Sequence, residues 1–365
     1  MYTMHGFGRK LTAVLLVLLF FTTTYAAVKV SCETEPVLQQ AREILKEVQE
    51  IRGLKFKEEP QIIVITRAEA LAMWKPSKED LKTMRMMEHV YKMSLLIRPD
   101  YPFFQRKEEQ RAGWMAATVG DRIYIIRENF LGNLDTARRA LAHESVHVLQ
   151  KQWFNAKYGA STFDGTLAVR ALVEGDADLV ADMYCERNDI PIHKITSLSG
   201  DPLTDINIFP YVFGDSFVRY LYKKGGWKLI NEAYRRYPES TAQIMHPELY
   251  LANVTPVNVS IEAPEGWNVL YSNRMGEFYV YILMRDHGIK NETAWQIASA
   301  WQGDRLILAR KGDEYLLLWK VKFQREGAAK DFMEELEKLT KNNTYANYTI
   351  KLKGASVILK AERGG

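Results

Sequence analysis

Residues 140–150 read Ala-Leu-Ala-His-Glu-Ser-Val-His-Val-Leu-Gln, and inside them His143, Glu144 and His147 form an H-E-x-x-H pattern. On a helix, positions i and i+4 share a face, one turn apart. Two imidazoles so placed can grip one Zn²⁺ while Glu144 reaches a water beside it. Leu141, Ala142, Val146 and Leu149 are apolar at helical spacing, and no Pro or Gly falls between Asn133 and Tyr158. Asn133 is a suitable N-cap, and Asp135 in the first turn suits the helix dipole.

An isolated H-E-x-x-H arises by chance in roughly 1 in 100 chains of this kind, so a second stretch downstream decides the reading. Residues 171–182 read Ala-Leu-Val-Glu-Gly-Asp-Ala-Asp-Leu-Val-Ala-Asp. Catalytic zinc takes three protein ligands and leaves a fourth position for water, and His₂Glu is one such set. Glu174 is the natural third ligand. Asp178 lies one turn further on the same face, placed to accept the outer N–H of a ligand histidine and so fix its tautomer.

H-E-x-x-H followed by E-x-x-x-D resembles the gluzincin metallopeptidases, the group typified by thermolysin. The wider wording is similar to the peptidase MA-like family, which usually reads L-A-H-E-x-x-H-x-L-Q and then A-L-x-E-G-D-A. The similarity runs from about Arg111 to about Leu339. It implies an α+β fold, with a mainly helical zincin-type catalytic domain and an edge-strand hairpin before the H-E-x-x-H helix. Ala112 to Ile126 reads as that hairpin, turning at Gly120-Asp121. By resemblance Ala112, Gly113, Trp114 and Met115 lie on the edge to which a substrate peptide adds through main-chain hydrogen bonds. Gly113 allows close backbone approach.

Peptide hydrolysis builds negative charge on the carbonyl oxygen, and gluzincins commonly place a His or Tyr donor there. Pro238 to Tyr250 is similar to the P-x-S-T-E-Q-x-L-H-P-x-x-Y run of the peptidase MA-like family, with Ala242 where an acidic residue is common. The resemblance makes His246 the donor, with Tyr250 and then Tyr211 as alternatives.

Of 365 residues, 47% are hydrophobic and 26% charged, a globular composition long enough for one large or two modest domains. A net charge of +4, lower once Arg9 and Lys10 are removed with a leader, is too small to argue for nucleic acid. His5, Arg9 and Lys10 precede the apolar run Leu11 to Phe21, and Thr22 to Ala27 come next. That is the layout of a secretory signal peptide over residues 1–26; left uncleaved, it becomes a membrane tether. Cys32 and Cys185 are the only cysteines, and in an oxidising compartment they can pair or stay as buried thiols.

Val37 to Gly53, Lys78 to Met93, Thr166 to Glu186, Tyr211 to Lys224 and Trp227 to Tyr237 carry helical periodicity, and Gln61 to Thr66 reads as a buried strand. Asp164-Gly165 reads as the break before the second ligand helix, and Asp201 to Pro210 as a loop. The boundaries expected are a metallopeptidase domain at 33–252 and a small α-β-β-α-β-β module at 265–365. These readings lead to a secreted or cell-surface zinc metallopeptidase with one catalytic Zn²⁺, acting on a peptide or protein. No G-x-M-E-N run is present for an aminopeptidase, so endopeptidase action is expected. The alternative is a non-catalytic cell-surface binding protein that retains the gluzincin fold.

Overall fold

A computed structural model describes residues 34–73, 78–109, 116–128, 133–341 and 343–364. The expected leader, Cys32 and the edge residues Ala112, Gly113, Trp114 and Met115 lie outside the described residues. The chain is α+β.

In the first part, α1 (Thr34–Arg52), β1 (Gln61–Ile65), α2 (Arg67–Met73), α3 (Lys78–Met93) and α4 (Phe103–Glu109) lead to the hairpin β2 (Ala116–Val119) and β3 (Arg122–Ile126). β1 runs parallel to β3, and β2 pairs antiparallel on its other side, so β2 is an edge of a three-stranded sheet. Gly120 turns the hairpin with φ of +67°, a conformation that costs glycine little.

The long helices α5 (Leu134–Phe154), α6 (Phe163–Arg187) and α7 (Pro202–Ala233) come next. Asn133 caps α5 by accepting the Thr136 N–H, and Asn155 closes it in the left-handed region at φ of +47°. α6 starts earlier than the sequence suggests. Thr162 is its cap, and Gly165 sits inside the first turn because a Cβ there would lie 3.1 Å from Ala160 Cβ and 3.2 Å from Glu239 O. Residues 202–210 are helical rather than loop. Asp201 caps the Thr204 N–H and Pro202 takes the first turn, while Pro210 is carried inside the helix. The expected stop at Gly225-Gly226 is a kink, with Gly226 at φ of +60°.

Two short helices, α8 (Thr241–Met245) and α9 (Pro247–Leu251), precede the C-terminal part. There β4 (Asn268–Asn273), α10 (Glu277–Asp286), α11 (Asn291–Ala298), β5 (Trp301–Lys311), β6 (Glu314–Phe323), α12 (Glu326–Thr340), β7 (Asn347–Lys353) and β8 (Ser356–Arg363) build a five-stranded antiparallel sheet in the order β4-β5-β6-β8-β7. α12 lays Phe332 and Leu336 on one face of it, against Trp319 and Phe323. The strand β4 adds to the α-β-β-α-β-β order that the sequence suggests.

One apolar core runs from Val90 and Leu96 through Leu172 and Phe209 to Phe278 and Trp319, joining the two expected domains. A second cluster packs α1, β3, α5 and α6 around Val48, Ile125, Val146 and Val180. Among the described residues no helix is long and apolar enough to cross a membrane.

Candidate metal centre

The site forms where α5 and α6 pack side by side. His143 and His147 project from one face of α5, and ligand-type atoms of His143, Glu144 and His147 all lie within 4.8 Å of one another. Glu174 faces them from α6. Its Oε2 is 3.0 Å from His143 Nε2 and 3.4 Å from His147 Nε2.

The far side of each ring is held. His143 Nδ1 lies 3.1 Å from Asp178 Oδ1. Asp178 is itself fixed by Arg139, whose Nη2 donates to it at 2.8 Å and to Asp182 at 2.7 Å. His147 Nδ1 lies 2.8 Å from Gln150 Oε1. The Gln150 amide nitrogen donates to Val173 O at 2.9 Å and to Asp176 Oδ2 at 3.2 Å, so its oxygen must turn to the histidine. Asp176 is buried with Arg52, which donates from Nε at 2.8 Å, and with the Tyr234 hydroxyl at 2.7 Å. Both imidazoles therefore present Nδ1–H to an acceptor outside, and both Nε2 atoms point inward to Glu174.

With both rings neutral and protonated at Nδ1, two ring lone pairs and a carboxylate oxygen are all acceptors, and at 3.0–3.4 Å they need a proton or a metal cation between them. Ligands of a tetrahedral zinc with bonds of ~2.0–2.1 Å stand ~3.3 Å apart, and the two separations from Glu174 Oε2 to the ring nitrogens bracket that spacing. The protonation equilibria point the same way. Burial disfavours a charged His143, yet its bonds to Asp178 and Glu174 outweigh this and push it up to about 10. Burial also opposes charge on His147, but Glu174 raises it. Burial works against ionised Glu174, and the two histidines still hold it well below the usual carboxylate range. The pocket stabilises positive charge, and its donor set fits a metal ion.

Two tyrosines flank the histidines. The Tyr211 ring lies 6.0 Å from the His143 ring, and the Tyr158 ring 6.0 Å from the His147 ring. The charge of Glu174, then burial, holds the Tyr211 hydroxyl well above its usual pKa, and that hydroxyl bonds Glu174. Arg170, one turn before Glu174 on α6, is pinned by its Nε to Tyr158 O at 3.1 Å. The edge strand reaches the site too, since Thr118 on β2 donates to the Glu144 carbonyl at 2.9 Å.

His246 and Tyr250 are engaged elsewhere. His246 Nε2 is 2.7 Å from Oε1 of buried Glu277, and its ring lies 5.2 Å from that of Trp295. The Tyr250 hydroxyl donates to Arg236 O at 2.8 Å. None of these contacts reaches His143, Glu144, His147 or Glu174. Cys185 is buried. The sequence alone assigns no role to Gln150, Arg139, Arg170 and Tyr158. Only Gln150, three residues after His147, carries a local signal.

Residues 263–359 match the model of a family described as a domain of unknown function (DUF8575), which covers most of the C-terminal part and neither α5 nor α6. No curated protein and no solved structure matches the chain.

Proposed function

We propose that the chain is an exported zinc metallopeptidase of the gluzincin kind, with His143, His147 and Glu174 as the protein ligands of one Zn²⁺. The observation that carries this reading is the meeting of Glu174 Oε2 with both Nε2 atoms, while Asp178 and Gln150 hold both Nδ1 atoms. Bound zinc would supply Lewis-acid polarisation of the scissile carbonyl and acidify a water.

The chain's own residues supply the rest. Glu144 follows His143 directly and is free of the histidine–carboxylate pairing, so its carboxylate accepts the water proton and returns it to the leaving amine. Tyr211, beside Glu174, is the better-placed donor for the developing oxyanion, because His246 is committed to Glu277. β2, an edge strand hooked to Glu144 through Thr118, offers main-chain groups to an extended substrate. Arg139 and Arg52 fix the carboxylates behind the ligands.

The test is zinc titration of the metal-stripped protein beside peptide cleavage. Wild type should bind one equivalent of Zn²⁺ and gain activity with it. Glu174→Ala should lose tight zinc binding and cleavage together. Tight stoichiometric zinc in Glu174→Ala would remove Glu174 from the ligand set, and zinc-loaded wild type that cleaves no peptide in a diverse library would remove the peptidase reading.

A further inference from the structure

The sheet of the C-terminal part has two unlike faces. One carries Trp319, Phe323, Val357 and Leu359 and is covered by α12. The other is set by register. Arg305 pairs with Lys320, Lys320 with Ile358, and Ile358 with Lys351, so these four side chains form one row across four strands. The next row holds Lys322, Ser356 and Lys353, again in register. Lys360 stands one step away between Leu318 and Thr349.

Rows are two residues apart along a strand, ~7 Å, and strands are ~4.8 Å apart. Arg305, Lys320, Lys322, Lys351 and Lys353 thus crowd onto a patch of roughly 15 Å by 7 Å. Among the described residues none of the five has an ion-pair partner; only Lys360 is neutralised, by Glu362 at 2.7 Å. Lys351 and Lys353 are exposed, and the others half-buried. The opposite side of the module is acidic, since α12 carries Glu326, Asp331, Glu334, Glu335 and Glu337, with Lys330 and Lys338 paired on the helix itself.

Like charges held this close repel, and a stable fold tolerates them when a partner of opposite sign covers them. A β-sheet face is broad and shallow, with no groove for a duplex. Single-stranded nucleic acid needs aromatic platforms for its bases, and none stands in these rows. Instead the aliphatic side chains of Leu318 and Ile358 lie among lysines whose methylene stems can rest on apolar surface while the ammonium groups reach out. That combination suits a plane of lipid headgroups.

We propose that this face docks on a bilayer rich in anionic phospholipid and holds the rest of the chain close to that surface. Docking of this kind does not depend on the metal centre.

The test is flotation of the full chain with vesicles of phosphatidylcholine alone and with phosphatidylglycerol added. Any binding through the apolar N-terminal run adds to both kinds alike, so the readout is the excess on anionic vesicles. Each basic residue near an anionic surface raises binding roughly fivefold. Reversal of four, K320E/K322E/K351E/K353E, should therefore lower the excess by at least about 100-fold. The set K46E/K223E/K224E/K228E changes net charge equally on exposed positions elsewhere and should retain most of it. High salt should remove the wild-type excess. No anionic excess in wild type, an excess that survives high salt, or equal loss in the two variant sets would each overturn the proposal. So would retention on duplex DNA under salt conditions where anionic vesicles retain nothing.

Discussion

Gly175 and Gly214 meet backbone to backbone where α6 crosses α7. A Cβ at Gly175 would lie 2.2 Å from Gly214 O, and a Cβ at Gly214 would lie 2.2 Å from Ala171 O. The two helices close to this distance only because both positions lack side chains. Gly175 follows Glu174, the proposed third ligand, and Gly214 comes three residues after Tyr211, so the contact sets the tyrosine against the carboxylate.

Gly214→Ala should therefore force α7 away from α6. Overpacking of this kind typically costs about 1–3 kcal/mol. The expected result is a lower Tm together with weaker peptide cleavage, read by calorimetry and a fluorogenic peptide. A Tm and activity equal to wild type would mean that the crossing relaxes freely.

Gln150→Leu removes the acceptor that orients His147 and leaves a buried N–H without a partner. Loss of such an outer contact typically costs 10–100-fold in metal affinity. Competition with a zinc chelator should show a drop in that range, with activity largely restored at saturating zinc. Unchanged affinity would mean that His147 needs no help to hold its tautomer.

Tyr211→Phe separates the two donor assignments. Losing one oxyanion donor should lower kcat by roughly 10²–10³ with zinc content preserved. His246→Ala, the variant that the sequence singles out, should instead leave kcat within a few fold. It should lower Tm, because it strands the buried Glu277 carboxylate. The opposite pattern would return the donor role to His246.

Asp286, on α10, gives a pH dependence separate from that of the candidate metal centre. Its side chain is 1% exposed, Oδ1 accepts from Arg285 at 2.9 Å, and Oδ2 has no partner. Burial first, and then the charge of Asp205, push its carboxyl up to about 7. An unfolded aspartate titrates near 3.9, so between about pH 4 and 7 the folded chain keeps a proton that the unfolded chain releases. This group's stabilising contribution is complete below the lower value and lost as pH rises through 7. Asp286→Asn should flatten that part of the stability profile and gain Tm relative to wild type at pH 8. Parallel profiles from pH 4 to 8 would exclude this group as the source.

Local signals carry the two helices of the candidate metal centre. The i, i+4 histidines, the Asn133 cap and the Glu174/Asp178 spacing are written within single turns, and the structure brings their side chains together. Misreadings fell where two rules compete. Pro210 suggested a loop, yet the Asp201 cap and Pro202 start a helix that carries it. Asp164-Gly165 suggested a break, yet Gly165 is small because Ala160 and Glu239 crowd it. Long-range partners left no trace in the sequence. The Gln150–Asp176–Arg52 chain, the Gly175–Gly214 crossing and the pairing of His246 with Glu277 join residues tens of positions apart. The edge residues Ala112 to Met115 and Cys32, the expected partner of Cys185, lie outside the described residues.

The most direct test of the central claim is the turnover of zinc-loaded Glu144→Gln, measured on protein free of host proteases. The amide is close to isosteric and stands outside the three-ligand set, so Zn²⁺ should remain near one equivalent per chain. It cannot accept a proton from water, so peptide cleavage should fall to background. Wild-type turnover at full zinc occupancy would contradict the account.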